Sequence, residues 1–136
     1  MTDPSHTGLD AVAGDALAIG DIQSAAIFLV AGDPPVLELG AAAGIEGPAL
    51  DGLVNAVRNP AHPVARAVTD EGPTFDVPPV NPGGPKLRSH LPLVANGGGR
   101  RTLVGVLAVA HDAPLGEADR RHLVELADRA ASIAHA

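Results

Sequence analysis

Six histidines, eight arginines, one lysine and no cysteine define the chemistry open to this 136-residue chain. Without cysteine there is no thiol nucleophile, thiolate zinc site, iron–sulfur cluster, disulfide or thioether-linked chromophore. His90 lies in a strand-like stretch and could serve as an axial ligand to haem, or simply as a hydrogen-bonded strand histidine. A haem site also needs apolar, aromatic walls, and Phe28 and Phe75 are the two aromatic residues in the chain. The same shortage of stacking platforms argues against a cyclic nucleotide. Arg66 and Arg88 are the cations placed to meet an anionic ligand, against the plainer reading of surface arginines.

Other combinations fail on spacing. His111 and Asp112 are adjacent ligand types, but a turn at a strand end explains them. His122 has Leu126 one helical turn later, so no metal pair forms on that helix. A Ser/His/Asp triad can be written with Ser89 or Ser132, yet nothing in the sequence positions its members together. No zincin, P-loop or dinucleotide signature is present. The run Asn96-Gly97-Gly98-Gly99 precedes a strand-like segment rather than a helix, which makes it a turn and not a phosphate cradle.

The elements that must carry these residues follow from periodicity. Leu9, Val12, Ala13, Ala16 and Leu17 form one helical face over residues 8–20, with Thr7 as N-cap, Gly20 as stop and residues 1–7 as a polar, disordered tail. Ala11 and Ala18 leave the opposite side of that helix small enough for a second helix to pack on. Residues 24–30 and 36–42 are apolar runs around Gly32-Asp33-Pro34-Pro35 and read as a hairpin. Ala49, Leu50, Leu53, Val54 and Val57 have helical spacing, with Pro48 tolerated in the first turn. A further short helix is expected around Val64, Ala67 and Val68. Residues 73–77 read as a brief edge strand because flanking prolines cannot sit in a central ladder.

Residues 78–86 form the longest expected loop. Strands then follow on both sides of the Asn96–Gly99 turn. Thr102 to Ala110 is nearly unbroken in its apolarity, so it belongs at the centre of the sheet, covered on both faces. A helix from about residue 116 to 135 carries Leu123, Leu126, Ala127, Ala130 and Ile133 on one face. Val124, Ala131 and Ala134 lie on another. Both terminal helices thus hold more apolar surface than one core uses, which motivates a homodimer. The element order implies an α+β fold with helices layered on an antiparallel sheet.

At this point the sequence resembles a GAF domain. The resemblance is carried by Ala25-Ala26-Ile27-Phe28-Leu29-Val30 after a helix, by Asn59-Pro60 through Glu71-Gly72-Pro73, by Arg88-Ser89-His90-Leu91-Pro92-Leu93-Val94 followed by a glycine turn and Leu103 to Val109, and by the closing helix from Leu115-Gly116-Glu117. It spans residues 8–135 and implies a sheet of five or six antiparallel strands. The terminal helices would lie on one face, and short helices with the long loop would roof a pocket on the other. GAF domains are mostly sensory. They bind cyclic nucleotides, tetrapyrroles, haem or small metabolites and signal through dimerising terminal helices, usually inside larger proteins. Some GAF-like proteins are free methionine sulfoxide reductases, a chemistry that needs the cysteine missing here.

These readings converge on a single domain over residues 8–136, stand-alone or a fragment of a larger sensor. The expected function is non-catalytic: a small-molecule-binding regulatory module, with Phe28, Phe75, Arg88 and His90 as ligand-binding residues. No cofactor or metal is expected. The alternative is a ligand-free interaction scaffold that has lost its pocket. Expected partners are a small molecule of unnamed identity, a second copy of the chain and a signalling protein. A net charge of -7 argues against nucleic acid. The absence of an 18-residue apolar run and of a signal peptide points to a cytoplasmic, membrane-free protein.

Overall fold

The structure is a computed structural model. It describes residues 4–31, 36–59, 73–77, 87–97 and 99–135, to which every structural statement below refers. The expected helix near residues 64–68, Arg66 and the loop over 78–86 lie outside these residues.

Helix α1 (Pro4–Ala16) buries Leu9, Val12, Ala13 and Ala16. It starts inside the stretch read as a tail and ends four residues before Gly20. Proline in a first turn is pre-organised for a helix, which accounts for the early start. Successive turns then carry the chain away: Leu17 N–H donates to Gly14 C=O and Ile19 N–H to Ala16 C=O. Ile19 and Ile22 enter the core in that way.

Strands β1 (Ser24–Ala31) and β2 (Val36–Ala43) form the expected antiparallel hairpin, with a register shift at Ile27/Phe28. Gly44, at φ 74, then turns the chain toward α2, and a Cβ there would collide with the Gln23 carbonyl. Helix α2 (Gly47–Ala56) begins on Pro48 in its first turn. Strand β3 (Thr74–Val77) is short, and β4 (Leu87–Gly97) pairs with β5 (Arg100–His111) across the glycine turn. Helix α3 (Glu117–His135) closes the chain, with Glu117 and Asp119 in the first turn where acids suit the helix dipole.

The five strands lie in the order β2-β1-β5-β4-β3, every neighbouring pair antiparallel. The apolar β5 holds the centre, as its composition predicts. Strand β1 approaches β5 so closely that a Cβ on Gly105 would strike the Phe28 carbonyl.

The sheet separates two cores. On one face α1 and α3 pack over Ala25, Ile27, Leu91, Leu93, Leu107 and Val109. On the other, Ala26, Phe28, Leu37, Val106 and Ala108 pack with Val57, just past the end of α2, and with the partly buried Leu53 and Val54. The terminal helices therefore share one face and α2 takes the opposite one, which is the expected α+β arrangement with five strands. No described helix is long and apolar enough to cross a membrane.

Candidate functional site

The site is built on β4. Directly opposed residues in an antiparallel pair share a face of the sheet. His90 stands opposite Ala108, and Arg88 opposite Ala110. Ala108 pairs in turn with Ala26, and Ala110 with Ser24. Ala26 and Ala108 belong to the core under α2, so Arg88 and His90 face that side. Their opposing neighbours on β5 and β1 are all small, leaving the two large polar side chains without bulky competitors across the sheet.

His90 is 2% exposed. Arg88 is half-buried, and its Nη1 is buried with no hydrogen-bond partner among the described residues. Burial pushes the Arg88 guanidinium below its ordinary pKa. A cation withdrawn from water with a donor unused is costly unless an anion or acceptor meets it.

The structure brings together part of the set expected from sequence. Arg88 and His90 are neighbours on one face. Phe28 shares that face but lies two strands away, 0% exposed beneath α2, where it is the largest member of the apolar cluster. Phe75 does not join them. It packs against the core under the terminal helices, with the Arg120 guanidinium 4.8 Å from its ring centroid.

Alternation from Thr74 puts Phe75 on that side, and a bulge follows it. Thr74 stands opposite His90 and Val77 opposite Arg88. Two residues, Phe75 and Asp76, therefore oppose Ser89 alone. Asp76 adopts φ 59, the one non-glycine residue at positive φ among those described.

Around this bulge lies a polar network that sequence reasoning did not assemble. Asp76 N–H donates to Ser89 Oγ at 3.2 Å, and Ser89 Oγ lies 2.8 Å from His111 Nε2. His111 Nδ1 lies 2.7 Å from Ala113 C=O. A carbonyl only accepts, so Nδ1 carries a proton. In the neutral imidazole, Nε2 then accepts from the Ser89 hydroxyl, and Ser89 Oγ accepts from Asp76.

The carboxylate of Asp76 accepts from Leu115 N–H at 3.0 Å and from Arg120 Nη2 at 2.5 Å. Arg120 Nε also donates to Leu115 C=O at 3.1 Å. Partial burial alone would push the Asp76 carboxyl up. The Leu115 and Arg120 hydrogen bonds, with the Arg120 charge and that of His111 when protonated, outweigh it and hold the carboxyl below its ordinary value. The turn after β5 is fixed from the other side, where Asp21 Oδ2 accepts from the N–H groups of Asp112 (3.1 Å) and Ala113 (2.9 Å).

Ser89 and His111, two residue types of the triad written from sequence, do meet. Both are 0% exposed, and the histidine is oriented by a carbonyl instead of a carboxylate. His111 and Asp112 occupy the strand-end turn, as their sequence position predicts. Among the described residues no group of three or more His, Cys, Asp or Glu is placed to hold a metal ion.

The fold is that of GAF domains. The chain superposes on the GAF domain of an Acinetobacter phosphoenolpyruvate-protein phosphotransferase with a TM-score of 0.76, at 18% identity, over 98% of this chain and 84% of that one. The GAF-B domain of DevS from Mycobacterium smegmatis gives 0.74 at 20% identity, over 96% and 93%. A type II free methionine-R-sulfoxide reductase from Thermoplasma acidophilum gives 0.74 at 14% identity, over 96% and 92%. No protein-family model and no curated protein matches the sequence.

Proposed function

We propose that this chain is a non-catalytic sensory or regulatory module that takes a small molecule on the α2 face of its sheet, beside Arg88 and His90. The observation that carries this reading is the buried Arg88 Nη1, without a partner among the described residues, next to a 2%-exposed histidine on the same face. A sheet serving only as structure has no use for two large polar side chains at such positions. Phe28 closes the apolar end of the face. Phe75 is left out of the site because strand alternation from Thr74 puts it on the other side. The solved GAF domains above come from a phosphotransferase and from DevS, which supports a regulatory setting. Occupancy reaches the outside through α1 and α3, which associate with a second copy of the chain in the cytoplasm.

Native mass spectrometry of the protein purified from its own host tests this reading. A dimer carrying a small additional mass that Arg88→Gln loses is the expected result. A protein with no added mass, or a mass that Arg88→Gln retains, contradicts it.

A second reading has its own observation. Phe28, Val106, Leu37 and Val57 fill the α2 side with packed side chains, as a ligand-free interaction scaffold would. A clean dimer without added mass supports that scaffold.

A further inference from the structure

We propose that Asp76 is a two-position switch, pairing with Arg120 at the start of α3 when β3 is bulged and with Arg88 on the α2 face when the bulge is expelled. The inference rests on the reading of the α2 face as the ligand face and adds how that site is regulated.

The geometry of β3 supplies both positions. Two register pairs hold this edge strand to β4, Thr74 with His90 and Val77 with Arg88, and the extra residue sits between them. Remove the extra residue and strict alternation resumes from Thr74. Phe75 stays toward the terminal helices, and Asp76 moves to the α2 face. It then replaces Val77 opposite Arg88, where directly opposed side chains lie about 4.5–5.5 Å apart at Cβ. The carboxylate would thus meet the guanidinium whose Nη1 now has no partner among the described residues.

A one-residue slip is a discrete change that sends side chains to the other face. The bulged state is the one held at α3: Arg120 and Leu115 N–H grip the carboxylate, Ser89 takes the Asp76 N–H, and Arg120 covers Phe75. Asp76 sits at φ 59 in that state, a sparsely populated conformation that persists because its surroundings over-determine it. Expelling the bulge relieves that conformation and exchanges one arginine partner for the other. Two arginines on opposite faces thus compete for one carboxylate.

Ligand coupling follows without further parts. An anionic group bound at Arg88 takes the place Asp76 would occupy and so favours the bulged state, in which α3 is clasped. A ligand shifts such an equilibrium only by its differential affinity for the two states, and here the differential contact is Arg88 itself.

The test is NMR of the full chain, reading which residue of β3 shows cross-strand contacts to Arg88. Wild type should show Val77. Arg120→Gln removes a charge-assisted partner of the bulged state and should shift the ratio roughly ten- to a hundredfold toward Asp76 opposite Arg88. Adding Arg88→Gln to that variant should reverse the shift, and inorganic phosphate should reverse it partly. Arg120→Lys, which keeps the charge but loses the fork, should give a smaller shift and serves if Arg120→Gln does not fold. Val77 remaining opposite Arg88 in both Arg120 variants overturns the switch. A register change indifferent to phosphate overturns its ligand dependence. The register is read without the natural ligand, so a failure here is separate from a failure of the binding reading, which the native mass measurement decides.

Discussion

Ser89, 0% exposed, holds two groups in place. Its hydroxyl satisfies both Asp76 N–H and His111 Nε2, and removing it strands one buried and one part-buried polar group. Ser89→Ala should destabilise the protein by about 1–3 kcal/mol in chemical denaturation. Arg88→Met should do the reverse, raising stability by about 0.5–2 kcal/mol while abolishing binding, as expected where a functional residue is retained at a cost to the fold. Asp76 sets a pH dependence. Its folded carboxyl titrates below the unfolded value of 3.8. Its contribution is therefore complete above that value and is lost as the pH falls through the folded one. Asp76→Asn should flatten the acid limb of the stability–pH curve, and an unchanged limb would remove the ion pair from the account.

At this scale the sequence was partly legible. Arg88 and His90 share a face because strand side chains alternate, and that much follows from their spacing. The turn of Asp76 toward α3 instead of toward Arg88 depends on a bulge whose partner strand lies 13 residues away by the Asp76–Ser89 bond. No local pattern announces it. The Ser89–His111 pair was hidden for a related reason. The β4–β5 register shifts between Leu93 and Val94, so counting outward from the glycine turn misplaces every pair beyond that point by one residue.

Among the elements, the β1–β5 contact leaves least room. Gly105→Ala pushes a Cβ into the Phe28 carbonyl at the centre of the sheet. Backbone cannot yield there as a flexible side chain would, and a loss of about 3 kcal/mol or more is expected on thermal or chemical unfolding. In α3, Leu123 is fully buried between helix and sheet, so Leu123→Ala should cost about 2–5 kcal/mol. Helix α3 and the central strand were readable because long, strongly periodic or unbroken apolar patterns leave few alternatives. The ends of α1 were not. Pro4 reads equally as a tail residue and as a first-turn residue, and the turns after Ala16 are selected by where Ile19 and Ile22 find the core.

For the whole molecule the two faces divide the work. The terminal helices complete a core on one side, and the sheet presents Arg88 and His90 on the other. Val124 is one of two large apolar side chains left exposed among the described residues. It sits on α3 with Arg121, Glu125 and Asp128 also exposed. If the terminal helices form the dimer interface, Val124→Asp should leave unfolding unchanged and weaken association, measured by sedimentation. An equally stable dimer in the variant would place the interface elsewhere. The Asp15–Arg129 ion pair, 2.5 Å long and half-exposed, contributes little to holding α1 on α3. Such surface pairs are worth about 0–1 kcal/mol, so the helix pair depends on its buried apolar contacts.

The central claim is that the α2 face beside Arg88 and His90 receives a small molecule. Titrating the isotope-labelled protein with a small-molecule extract of its host, and mapping the amide shifts, tests it most directly. The account predicts shifts centred on residues 74–77 and 88–90, absent in Arg88→Gln, with a weaker response in the first turn of α3. Shifts confined to β2 or to the outer surface of the terminal helices, or none at all, would contradict it.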